Sequence, residues 1–140
     1  MDHYIDKAEF IAQQVARYGS QKIDPSKLQT RDKLSGLNQI NFYEDDNEPD
    51  QWWWTPGWPA EHYAKYLNAV HDGYNVTSNE DYPLIGMKNV DPHAVHVLGG
   101  MNGDEIEYLD KILANTDGRV PFDILNFHHY CSTGLQDSMG

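Results

Sequence analysis

A chain of 140 residues is long enough to enclose one ordinary hydrophobic core. Its 22 acidic residues outnumber its 10 basic ones, giving a formal net charge of −12. This argues against nucleic acid, whose phosphates need clustered Lys and Arg, and against an anionic membrane surface. The acidic excess itself reads as a solvated surface.

Residues 4–18 carry a helical pattern: Ile11, Val15 and Tyr18 recur at i, i+4 and i+7, with Ala8 and Ala12 close by. Asp2 and Asp6 favour its start, Arg17 its end, and Gly19 offers a cap. The polar stretch 20–36 is a connection. Leu37–Tyr43 is expected to be a strand, ending in the acidic run Glu44-Asp45-Asp46-Asn47-Glu48-Pro49-Asp50. Trp52, Trp53, Trp54 and Trp58, broken by Pro56, Gly57 and Pro59, form a loop. Pro59 suits the first turn of a second helix, with Tyr63, Tyr66, Leu67 and Val70 on its apolar face and Gly73 closing it. Residues 74–93 are expected to be irregular. Val95–Leu98 is a second strand, ending in Gly99-Gly100-Met101-Asn102. A third helix runs from about Asp104 through Ile106, Leu109 and Leu113 and stops at Asn115–Gly118. Phe122–Phe127 is a third strand, ending in His128-His129-Tyr130. Alternation of helix and strand implies an α/β fold with parallel strands and helical crossovers.

The N-terminal residues Met1-Asp2-His3-Tyr4-Ile5-Asp6-Lys7 lack the basic flank and apolar run of a signal peptide. No stretch approaches the roughly 18 apolar residues of a membrane span. The single Cys131 has no partner for an internal disulfide and fits no Cys-based zinc site. Asn75-Val76-Thr77 fits a glycosylation sequon, a short motif that matches by chance often.

In parallel α/β folds, chemistry gathers at the carboxyl ends of strands. Asn47-Glu48 ends the first strand and His128-x-Tyr130 the third. A glycosidase needs two carboxyl groups, one kept protonated near neutral pH by burial beside apolar rings or by a nearby anion. Glu48, among acids and close in sequence to four Trp residues, suits that role. Asn47 could hold a sugar hydroxyl, and Trp52, Trp53, Trp54 and Trp58 could stack on sugar faces. Each residue also has a plainer account. Asn-Glu-Pro is often a turn with a solvated Glu, Trp clusters are often packing, and His128 and His129 are packed or, with further ligands, metal-binding. His3, His62, His71, His93 and His96 look unremarkable.

The segment Tyr43-Glu44-Asp45-Asp46-Asn47-Glu48-Pro49-Asp50-Gln51-Trp52-Trp53 resembles the strand-four signature of retaining clan-A glycoside hydrolases. Asp123-Ile124-Leu125-Asn126-Phe127-His128-His129-Tyr130 resembles their strand-six segment, and Ala16-Arg17-Tyr18-Gly19-Ser20 the end of the helix leading to strand four. The resemblance implies a partial (β/α)8 (TIM) barrel, with residues 1–140 as one central segment of the catalytic domain covering strands four to six. It implies Glu48 as general acid/base and Asn47 on the sugar 2-hydroxyl. Trp52, Trp53 and His128 would line the substrate site, and Tyr130 would bond the nucleophile, a Glu of strand seven. The substrate would be an oligosaccharide or polysaccharide, with no metal and no cofactor. The isolated chain is expected to be inactive for want of the nucleophile, and the intact enzyme to be secreted or periplasmic. Asp46 departs from the pattern, where an apolar or aromatic residue is common. The alternative is a non-catalytic carbohydrate-binding protein using the Trp52–Trp58 loop, and a third reading is a metal-dependent hydrolase built on His128 and His129.

Overall fold

A computed structural model describes residues 4–51, 58–76, 78–102 and 106–128. The elements, in chain order, are α1 (Tyr4–Tyr18), β1 (Phe42–Glu44), α2 (Ala60–Asp72), α3 (Met87–Val90), β2 (Val95–Val97), β3 (Met101–Asn102), α4 (Ile106–Ala114) and β4 (Phe127–His128). A single 3-10 turn, Pro25–Lys27, follows α1.

Helix α1 buries a stripe of Ala8, Ala12, Val15 and Ala16. Three alanines let α2 approach closely. Helix α2 buries Tyr63, Ala64, Tyr66, Leu67, Ala69 and Val70, and starts after Pro59, whose fixed φ suits a helix entry. It stops at Gly73, whose φ of 76° is left-handed and whose N–H reaches back to Ala69 and Asn68. Met87, Leu98, Met101 and Ile112 pack into the same core, together with Leu28, Tyr43, Leu84, Val90 and Ala94.

The first strand begins later than its pattern suggests. The amides of Gly36, Leu37, Asn38, Gln39 and Ile40 donate to the carbonyls of Ala16, Arg17, Gly19 and Tyr18. Residues 36–40 therefore satisfy the open C-terminus of α1 instead of a strand ladder. Asn38 takes a left-handed φ of 54° to do so. The expected irregular stretch 74–93 contains the single-turn helix α3, and Met101–Asn102 forms the unanticipated β3.

The partial (β/α)8 barrel expected from the resemblance is not what the chain builds. Among the described residues, strands pair only as two small parallel sheets, β1–β2 and β3–β4, joined by the isolated bridges Asn47–Gly100 and Val97–Ile124. The architecture is mixed α/β with little strand. The physical reason lies at Gly99-Gly100. Where the ladder should continue, the Gly99 amide donates to the Asp45 carboxylate and the Gly100 amide to Glu44 Oε1 at 2.9 Å. Two side chains thus take the place of two ladder partners, and the sheet divides there.

Candidate functional site

The acidic run after β1 is distributed by strand alternation. Tyr43 and Asp45 point into the core, and Glu44 points out. Asp45 is buried and accepts from the Tyr63 hydroxyl at 3.1 and 3.2 Å, while its carbonyl accepts from the Tyr66 hydroxyl at 2.6 Å. Burial, and then the neighbouring Asp45 charge, hold both phenols well above the usual tyrosine range, so they remain donors. Asp46 accepts from Asn47 N–H at 2.9 Å, from Trp58 Nε1 at 3.0 Å and from Lys7 Nζ at 2.8 Å. Trp58 stacks on Tyr66 with centroids 5.3 Å apart.

Glu48 follows with a φ of 47°, a left-handed backbone that costs a non-glycine residue on the order of 1 kcal/mol. Its amide donates to Gly100 O at 2.8 Å and its carbonyl accepts from Gln51 N–H at 3.0 Å. These two bonds hold the unusual backbone in a tight turn. The side chain is only 9% exposed. It meets His128, whose Nδ1 lies 2.8 Å from Glu48 Oε1. With a carboxylate as acceptor, Nδ1 carries the hydrogen.

Gly100 makes that meeting possible. A Cβ there would lie 2.7 Å from His128 Cδ2 and 3.0 Å from Cε1, and closer still to Nε2. The imidazole therefore rests on bare backbone. Beyond the turn, Asp50 accepts from the Asn102 amide at 3.0 and 3.2 Å, and Tyr108 of α4 donates to Trp58 O at 2.9 Å. Trp58 N–H donates to Pro49 O at 3.1 Å, bringing residues 49 and 58 together.

The structure thus joins two of the residues singled out from sequence, Glu48 and His128, which are 80 positions apart. Asn47 is exposed and bridges Gly100 through its backbone. Trp52, Trp53, Trp54, His129 and Tyr130 lie outside the described residues. A cavity of about 320 Å³ lies beside the site, lined by Lys7, Phe10, Tyr43, Glu44, Asp46 and Tyr66 among others. Among the described residues, no group of three or more His, Cys, Asp or Glu is arranged to hold a metal ion, and no helix is long and apolar enough to cross a membrane.

Sequence reasoning missed Glu44, whose Oε1 accepts from both Gly100 N and, at 3.0 Å, Asn126 Nδ2. It also passed over His71 and His96, whose Nδ1 atoms lie 3.2 Å apart. One available signal was His96 itself, an inward position between two valines of an apolar strand. Comparison with protein-family models, with curated proteins and with solved structures gives no match.

Proposed function

We propose that the chain serves hydrolysis of O-glycosidic bonds by double displacement, with Glu48 as the general acid/base. The observation that carries this reading is the contact of the buried Glu48 with the partly buried His128, on a left-handed turn bonded to Gly100. Backbone strain concentrates where a side chain must be aimed for chemistry. The turn holds a carboxyl that is largely shielded from water within hydrogen-bond reach of an imidazole.

In the first step a partner carboxylate bonds to the anomeric carbon. The bond to the leaving oxygen breaks with its electron pair, and that oxygen takes the proton of Glu48. In the second step water gives a proton to Glu48, its oxygen bonds to the anomeric carbon, and the ester to the partner carboxylate breaks. The two carboxyls would stand about 5–5.5 Å apart. His128 keeps Glu48 oriented through both steps. The substrate class is an oligosaccharide or polysaccharide.

The test is Glu48→Gln in the protein expressed from its natural reading frame, assayed on aryl glycosides of graded leaving-group acidity. The amide cannot protonate the departing oxygen. Turnover is expected to fall roughly 10²–10⁴-fold on poor leaving groups and far less on the best ones. An equal loss on all substrates, or none, would sink the assignment. A binding protein without catalysis would show sugar affinity and no turnover in either form. Trp58, the described member of the Trp loop, gives that alternative no support, since its ring is already stacked on Tyr66 and bonded to Asp46.

A further inference from the structure

The segment 97–101 contains one residue too many for its neighbour. Val97 faces Ile124 and Met101 faces Phe127. Four steps along one segment (101 − 97) match three along the other (127 − 124). On the other side the register is unbroken, because Glu44–Val97 and Asn47–Gly100 have the same offset (97 − 44 = 53 and 100 − 47 = 53). The extra residue is therefore a β-bulge facing β4 alone, located at Leu98–Gly100. The backbone bonds agree: Leu98 N–H donates to Ile124 O, and Met101 N–H, not that of Gly100, donates to Asn126 O.

A bulge frees an amide and turns a strand, and proteins place bulges beside active sites to re-aim side chains. The freed amide here is that of Gly100, and Glu44 Oε1 accepts it at 2.9 Å. The same oxygen accepts Asn126 Nδ2 at 3.0 Å. One carboxylate oxygen of β1 thus ties the bulged segment to the segment that carries His128. The bulge is also what places Gly100 beneath the His128 ring.

We propose that Glu44 is a positioning residue for the Glu48–His128 pair, holding the bulge at Gly100 so that His128 meets Glu48. Its importance for catalysis rests on the glycosidase reading above; its effect on His128 does not.

The experiment separates the two. Nitrogen-15 spectra of the histidine rings report which nitrogen of His128 carries the hydrogen. In the unmodified protein, and in Glu44→Gln, which keeps an oxygen to accept both donors, the Nδ1–H form is expected. In Glu44→Ala the bulge loses its tie, and His128 is expected to move toward the mixed Nε2–H population of a free imidazole. On glycosides, Glu44→Ala is expected to lower kcat roughly 10- to 100-fold, the worth of a lost hydrogen bond to a charged group, with KM nearly constant and Glu44→Gln restoring most of the loss. An unchanged His128 spectrum in Glu44→Ala overturns the proposal, as does a Gln variant as damaged as the Ala one. Should Glu44→Ala not fold, Asn126→Ala removes one of the two ties, and the same spectral shift, smaller, is expected; its absence overturns the proposal equally. A protein that turns over no glycoside refutes the enzyme reading, while the spectra still decide the role of Glu44.

Discussion

Lowering the pH from 8 to 5 is expected to weaken the fold through the contact between His71 of α2 and His96 of β2. Their rings stack with centroids 5.5 Å apart, and their Nδ1 atoms are separated by 3.2 Å. Such a contact holds one hydrogen, since one nitrogen must donate and the other accept. His96 is wholly buried. Its Nε2 stands 3.6 Å from Asp45 Oδ2, beyond hydrogen-bond length, and has no hydrogen-bond partner. Burial, and then the neighbouring His96, hold His71 below the ordinary imidazole range, against the opposing pull of Asp123 and Asp72. Lys88, 2.6 Å from Asp123, adds to the lowering. The folded value is depressed, so the unfolded chain binds this proton first. The stability is present above about pH 6.5 and is lost as pH falls through the folded value. One proton of difference is worth at most about 1.4 kcal/mol per pH unit, and partial solvent access to His71 reduces it. The assay is urea unfolding at several pH values on the unmodified protein and on His71→Asn. The asparagine amide takes the place of Nδ1 without titrating. Glu9, whose carboxyl burial pushes up, acts alike in both and cancels in the comparison. The unmodified protein is expected to lose stability relative to the variant as pH falls from about 7 to 5. Parallel curves would refute the reasoning.

Tyr63→Phe removes the donor that serves both oxygens of the buried Asp45. It is expected to cost about 1–3 kcal/mol, read as a lower urea midpoint, with an unchanged midpoint counting against Asp45 as a buried acceptor that depends on Tyr63. Gly100→Ala places a methyl against the His128 ring. The fold is expected to survive while the His128 ring nitrogens lose the signature of a bond to Glu48; retention of that signature would show that the bare backbone at Gly100 is not required.

The helices were legible because their signals are local. The i, i+4 spacing of α1, the entry of α2 at Pro59 and its Gly73 stop need no knowledge of the rest of the chain. Helix α3 escaped because four residues are too few for a period to show. The strands were harder, since a strand is completed by its partner. Leu37–Asn41 has a strand-like pattern, yet its amides go largely to the end of α1, a demand that only the folded α1 creates. The bulge at Gly100 depends on Glu44, 56 positions away, and no window along the chain contains both.

The acidic run 44–50 shows most clearly what composition conceals. A net charge of −12 reads as a solvated surface, yet four acids of this run each hold a different part of the fold. Glu44 takes the bulge amide, Asp45 the buried tyrosine and the Gly99 amide, Asp46 the Trp58 indole and Lys7, and Asp50 the Asn102 amide. Carboxylates placed this closely repel one another unless donors separate them. Each here accepts from different donors, among them Lys7, Trp58, Tyr63, Asn126 and the amides of residues 99, 100 and 102. The fifth acid, Glu48, instead meets the imidazole of His128 in β4, its Oε1 2.8 Å from Nδ1. Four carboxylates serve as acceptors for the scaffold, and the fifth meets a ring nitrogen from a left-handed turn. That difference in partners, more than the density of charge, is the ground on which Glu48 is proposed as the acid/base.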